Sequence, residues 1–185
     1  YDTNVVVNGN GETGACETGS GSISPPGWTT SGPITQVSYN NPTYGDLSLT
    51  DPGPSDRGCC YFFGQISANT SMLQTINLTA YSTAIDAHNV SYNLSAWLGG
   101  YGTQDDSAAV IVLFFSQSML LLGSSTKIGP VYAAARGSIS KLLYQSTKGM
   151  VMVNVRYLQV QVIITRSVPN SNDGDVDDVS VVLSQ

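Results

Sequence analysis

The most tightly spaced chemical groups lie near the end of the chain. Asp173, Asp175, Asp177 and Asp178 surround Gly174 and lead into Val179-Ser180-Val181-Val182-Leu183. Alternation at period two places Asp177 on the face of Val179, Val181 and Leu183, so a core-facing strand carries that carboxylate inward at its rim. An inward carboxylate needs a partner, and the basic residues are few, with none adjacent in sequence. At the other end, the turn Asn8-Gly9-Asn10-Gly11-Glu12-Thr13 carries one acid, Glu12, which meets the closing strand if the first and last strands are neighbours. Two carboxylates with turn carbonyls and no nearby cation form a donor set for hard Ca2+. The alternative is a solvated acidic turn ahead of an edge strand.

Groups for covalent or acid–base catalysis are scarce. His88 is the only histidine, and no glycine-x-serine-x-glycine elbow accompanies it, so a Ser/His/Asp triad has no basis and His88 reads as a loop residue. Asp105 and Asp106 are the candidates for a glycosidase pair, but neighbours in a strand point to opposite faces, whereas hydrolytic carboxylates converge across a cleft. They read instead as a turn opening the next strand, or as a ligand-contacting loop. The chain contains no phosphate loop, dinucleotide fingerprint or redox dithiol. The expectation is a protein without enzymatic activity.

Cys16 and the adjacent pair Cys59 and Cys60 allow one disulfide, from Cys16 to either partner, with one thiol left over, buried or open to another chain. Such a bridge closes a loop of roughly 40 residues, worth about 3 to 4 kcal/mol in the chain-entropy picture. Adjacent cysteines lack the ligand spacing of a zinc site. Four sequons, at Asn69, Asn77, Asn89 and Asn93, stand close together, while Asn41-Pro42-Thr43 is excluded by its proline. With almost no lysine, they point to a secreted, extracellular glycoprotein. The start at Tyr1, without an apolar leader, suits a mature product and a trimmed one equally.

The elements that position these groups are strands. A length of 185 residues fits one domain spanning 1–185, and 11% charged residues with abundant Gly, Ser, Thr, Asn and Val argue against long helices. Strands are predicted at 3–7, 34–39, 61–66, 72–78, 92–98, 109–115, 119–122, 141–145, 157–166 and 179–183, with no convincing helix. Residues 14–33 read as loop around Trp28, which serves either as a core plug or as a sugar-stacking platform. Residues 40–60 form a second irregular stretch, which Asp56 and Arg57 brace. Between 150 and 165 the apolar parity flips, so a break falls near Asn154 to Arg156. The run 108–123 is interrupted at Ser116-Gln117-Ser118, leaving pieces far short of the roughly 18 to 20 residues of a spanning helix. Net charge −6 with no basic patch excludes nucleic acid. Nine or ten strands with regular turn signals make an all-β antiparallel β-sandwich.

Several segments together resemble secreted galactose-binding-like jelly-roll domains, the fold of many carbohydrate-binding modules. They are Val7-Asn8-Gly9 through Glu12-Thr13-Gly14, Pro25-Pro26-Gly27-Trp28-Thr29, Asp51-Pro52-Gly53-Pro54 with Asp56-Arg57-Gly58, Trp97-Leu98-Gly99-Gly100-Tyr101 with Gln104-Asp105-Asp106, Ile128-Gly129-Pro130, and Asn172-Asp173-Gly174 with Asp177-Asp178-Val179-Ser180. The resemblance spans nearly the whole chain. It implies a jelly roll whose first and last strands meet, with a structural calcium held by Glu12 and by Asp177 or Asp178. The chain departs from the pattern at Ala135-Arg136-Gly137, where Asp-Arg-Gly is expected. It departs again at Asp175, where an aromatic usually follows Asn-Asp-Gly, and at Met152-Val153-Asn154-Val155, where a proline–glycine turn is expected and an exposed apolar patch results.

Two functions follow. One is a binding module that holds glycans through aromatics and amides, with Tyr39, Tyr44, Tyr101, Gln104, Asp105 and Asp106 as candidate contacts. The other is a structural glycoprotein that assembles with copies of itself through strand edges, the spare thiol or the Met150 to Val155 patch.

Overall fold

The computed structural model describes residues 1–185. Ten strands form two antiparallel sheets of five. One contains, in spatial order, β1 Thr29–Ser31, β4 Asn69–Asn77, β9 Tyr157–Thr165, β6 Ser107–Phe115 and β7 Leu121–Ser124. The other contains β2 Thr35–Ser38, β3 Cys60–Phe63, β10 Gly174–Ser184, β5 Ser91–Gly100 and β8 Lys141–Met150. Period-two patterning drives the packing: Leu158, Val160, Val162 and Ile164 of β9 and Val110, Val112 and Phe114 of β6 all turn inward. They meet Leu94, Ala96 and Leu98 of β5 and Val176, Val179, Val181 and Leu183 of β10, giving one core between the sheets. Trp28 belongs to this core, where its indole N–H donates to the Asn8 carbonyl at 3.0 Å. It is a core plug.

The chain ends lie side by side, as the sequence implied. Asp2 N–H donates to the Leu183 carbonyl at 2.8 Å and Val5 N–H to the Val181 carbonyl at 2.9 Å, and Asn4 bridges Val182. The opening residues do not form the regular strand expected at 3–7, because the Asn4 side chain replaces backbone partners: its Oδ1 accepts from Val6 N–H and Val181 N–H. The turn that follows is clamped by Val179 N–H donating to the Gly9 carbonyl at 2.8 Å. A Cβ at Gly9 would collide with the Val179 carbonyl, so this contact requires glycine.

Several expectations are corrected. Asp177 does not share a face with Val179. The β10–β5 register advances from Asp177↔Trp97 to Ser180↔Ser95, a one-residue bulge with Asp178 at φ 50°. Val176 and Val179 therefore both point into the core, while Asp177 points out through the opposite face. The segment 150–155 is not an apolar patch: Val151 and Val155 are fully buried, Met152 and Val153 are half-buried, and among its apolar residues only Met150 is largely exposed. The break near Asn154 is present as a turn with Asn154 at φ 65°. Thr29–Ser31, read as loop, pairs with β4 because Thr70 Oγ1 fastens both sides of it, donating to the Ser31 carbonyl and accepting from Ile34 N–H. A short helix, α1 Ser82–Asp86, follows a 3-10 turn at Thr79–Tyr81, seating Ile85 in the core. No helix is long and apolar enough to cross a membrane.

The second sheet carries a further layer outside. The loop 40–58 folds over it, so Tyr39 and Leu47 pack on Val37, Tyr61, Phe63 and Leu142, with Tyr44 and Trp97 at the margin. Arg57 braces this loop by donating to the carbonyls of Pro54, Ser48 and Asp51, with its guanidinium 5.2 Å from the Tyr39 ring centroid.

Leu94→Ala, at a fully buried position, is expected to lower stability by about 2 to 5 kcal/mol. Leu120→Ala, at an exposed position, should change it by less than about 0.5 kcal/mol. Urea unfolding followed by circular dichroism measures both.

Candidate functional site

The clamp between the chain ends gathers acids at one corner of the outer sheet face. Glu12 Oε1 accepts from the backbone N–H groups of Cys59 and Cys60, each at 2.8 Å, and its carboxylate lies close over Gly58. Cys60 is disulfide-bonded to Cys16, which fixes this strand start to the N-terminal loop. Asp177 Oδ2 accepts from the Tyr39 hydroxyl at 2.6 Å and its Oδ1 from Asp178 N–H at 2.7 Å. Burial outweighs these bonds and, with Asp178 and Glu12 nearby, pushes the Asp177 carboxyl up to about 8. Asp178 is pushed up to about 6 by burial and by the charges of Asp56 and Glu12. No basic group answers them, since the single ion pair in the structure, Arg156–Asp86, belongs to the α1 end. No three acidic, histidine or cysteine side chains converge at metal-ligand spacing. The corner offers hard oxygen donors and uncompensated charge, chemistry that suits calcium, without a finished cage.

Beside this corner opens a cleft of about 410 Å³. Its floor is the Trp97–Tyr144 pair, opposite each other in the β5–β8 ladder, edge to face with centroids 5.7 Å apart. Its walls include Asn4, Asn8 and Asn10, with Asp56 and Asp178; the Asn8 amide is bonded to Pro26, Gln36 and Thr13 and that of Asn4 to Val179 and Val181 of β10. Tyr144 is half exposed, so an aromatic surface, amides and carboxylates face the same space. A second hollow, of about 500 Å³, lies around Tyr92, Asn93 and Met150 and is bordered by the sequon Asn93.

The candidate contacts read from sequence are dispersed. Tyr39 is buried, with its hydroxyl on Asp177, and Tyr44 packs on Phe63 with its hydroxyl donating to the Ser20 carbonyl. Tyr101 is exposed at a turn closed by Gln104 N–H on its carbonyl, and the Gln104 carbonyl accepts from Arg136. Asp105 Oδ1 accepts from Ala133 N–H. Asp106 is fully buried and holds loops together, accepting from Ser167 N–H and Oγ–H, Val168 N–H and Asp173 N–H. The cleft residues Trp97 and Tyr144 were not foreseen as contacts. Trp97 carried a usable signal, an aromatic alternating with Asn93 and Ser95 on the solvent side, but its pairing with Tyr144 depends on the β5–β8 register. Asn69, Asn77, Asn89 and Asn93 are all exposed, as is His88, and Cys59 is an exposed free thiol.

The sequence matches no protein-family model and no curated protein. Its fold does match solved structures. The fold is that of carbohydrate-binding jelly-roll modules. A family 61 carbohydrate-binding module in complex with β-1,4-galactotriose superposes with TM-score 0.56 at 14% identity, covering 98% of this chain and 99% of that one. The second family 16 carbohydrate-binding module superposes with TM-score 0.55 at 16% identity, covering 97% and 99%. The enzymatically active domain of tailspike protein 4 from bacteriophage CBA120 superposes with TM-score 0.62 at 14% identity over 98% of this chain, which spans only 21% of that one. At these identities the likeness is one of fold.

The raised carboxyls give a sign to the pH dependence. A folded-state proton affinity above the unfolded value near 4 means the folded chain holds protons the unfolded chain releases, so stability falls as pH rises. For Asp177 the loss runs from about 4 up through about 8. With chelator present, thermal midpoints should fall across that interval, and Asp177→Asn, whose amide oxygen still accepts from Tyr39, should flatten the fall. An unchanged slope in the variant would contradict the assignment.

Proposed function

We propose that the chain is a non-catalytic module that binds carbohydrate in the cleft between the opening turn and the Trp97–Tyr144 pair. The observation that carries this is the juxtaposition of an exposed aromatic with amides and carboxylates around one space. A pyranose presents an apolar C–H face that packs on an aromatic ring and a rim of hydroxyls that both donate and accept. Asn10 supplies both functions at the rim, and Asp56 and Asp178 accept, while the Asn4 and Asn8 side chains, held by bonds within the fold, shape the wall. Jelly-roll relatives that are carbohydrate-binding modules, one solved with a galactotriose, support the reading.

The same proposal includes a structural calcium at Glu12, Asp177 and Asp178, which quenches the mutual repulsion of that corner and stiffens the cleft wall at Asp178. It also includes secretion as a glycoprotein: the Cys16–Cys60 bridge suits an oxidising compartment, and four exposed sequon asparagines are available to modification. A second reading, assembly of copies, is favoured by Cys59, which stands exposed and unpaired, and by β8, a ten-residue strand at a sheet edge.

Tyr144→Ala is expected to leave the fold intact and weaken binding to a β-1,4-linked oligosaccharide by at least tenfold, about 1.4 kcal/mol. Glycan arrays and calorimetry read this out, and an array without hits for the wild type would defeat the module reading. If copies assemble through Cys59, size exclusion should show a covalent dimer that reductant or Cys59→Ser abolishes; a monomer under all three conditions would remove the thiol from consideration.

A further inference from the structure

A second group of acids lies deeper than the terminal corner, under the 40–58 loop, and none of the features described so far employs it. Asp175 projects from β10 on the same outward face as Asp177 and is fully buried, yet neither of its carboxylate oxygens has a hydrogen-bond partner. Asp173 Oδ1, just before the strand, and Asp46 Oδ2, from the covering loop, are buried and unpartnered as well. The hydroxyl of Tyr61, fully buried on neighbouring β3, lies against the Leu47 backbone and feels the charges of Asp175 and Asp46 most strongly among charged groups. Gln104 adds an unpartnered amide oxygen next to Asp173.

Asp106 shows what a satisfied acid looks like here, with four hydrogen bonds at equal burial. Arg136 is the cation whose charge acts on Asp175, but it makes no ion pair with it. Its terminal guanidinium nitrogens donate to the carbonyls of Gly100, Gly102, Ile139 and Gln104, while its Nε is buried without a partner. A buried carboxylate without donor or cation costs several kcal/mol, on the order of the stability of a domain. Burial and mutual repulsion push Asp46 up to about 8 and Asp175 well above the usual carboxylate range.

We propose that Asp46, Asp173 and Asp175 form a second cation site, taking a hard divalent ion of the calcium class beneath the 40–58 loop. The donors are all oxygen, with no imidazole or thiolate, and three carboxylates with an amide oxygen approach the roughly six to eight oxygens that calcium takes. The Tyr61 hydroxyl then donates to a coordinating carboxylate. The three side chains do not converge on one point in the structure. Asp46 is carried by the covering loop, so binding requires its side chain to turn onto the ion.

The test is calcium calorimetry and thermal melting of the full chain, with Asp175→Asn, Asp46→Asn and Glu12→Gln. The expected result is a calcium equivalent that Asp175→Asn and Asp46→Asn weaken at least tenfold and Glu12→Gln leaves in place. In chelator, Asp175→Asn should melt at or above the wild type, because an amide replaces an uncompensated acid. If Asp175→Asn does not fold, Asp46→Asn on the covering loop gives the same reading. Wild-type stoichiometry and affinity in both variants would overturn the proposal. So would a wild type that binds only the equivalent lost in Glu12→Gln, which would leave the acids as protonated carboxyls.

Discussion

The arrangement depends on the pairing of the two ends of the chain. Residues 2–9 are held along β10 by backbone bonds to Leu183, Val181 and Val179, and the Asn4 side chain supplies an acceptor where the backbone does not. That pairing delivers the opening turn to the point where β10 bulges. The bulge turns Asp177 outward and leaves Asp178 beside the turn, and the same turn provides the amides that wall the cleft. One local irregularity thus sets the core-facing valines and the acidic corner in register.

Charge shapes the outer sheet face as much as apolar burial does. The inner face is conventional, with valine, leucine and phenylalanine alternating across two sheets. The outer face buries aspartates among tyrosines and phenylalanines under a loop, and it uses two different solutions. Asp106 is neutralised by backbone donors, whereas Asp175 and its neighbours have none. A protein carrying such groups either holds their protons or binds a cation, and both make the stability of the outer layer depend on solution conditions while the inner core does not.

Much of the fold was legible because period-two alternation is a strong signal in long strands. β4, β5, β6 and β9 lie close to where the readings at 72–78, 92–98, 109–115 and 157–166 placed them. Short or irregular pairing was not legible. Thr29–Ser31 is a strand because of the tertiary bonds of Thr70, and residues 3–7 lose strand regularity to the Asn4 side chain. The facing of Asp177 was misread because alternation cannot register a bulge: one extra residue inverts every later position. The corner acids Glu12, Asp177 and Asp178 were visible as motifs. The cleft was not, because Trp97 and Tyr144 lie 47 positions apart and meet only through the β5–β8 register. The tyrosines and acids singled out as contacts carry ordinary signals of polarity that the fold spends on bracing its loops.

The central claim is that the opening turn and the Trp97–Tyr144 floor make one carbohydrate-binding surface. Titration of the isotopically labelled chain with a β-1,4-linked oligosaccharide, followed by two-dimensional nitrogen–proton spectra, tests it most directly. Only two indole N–H signals exist, and Trp28 is locked in the core on the Asn8 carbonyl. The account predicts that the Trp97 indole and the Asn4 and Asn10 side-chain amides move together with one saturating curve. A saturating response confined to residues 101–106, with the Trp97 indole unmoved, would contradict it.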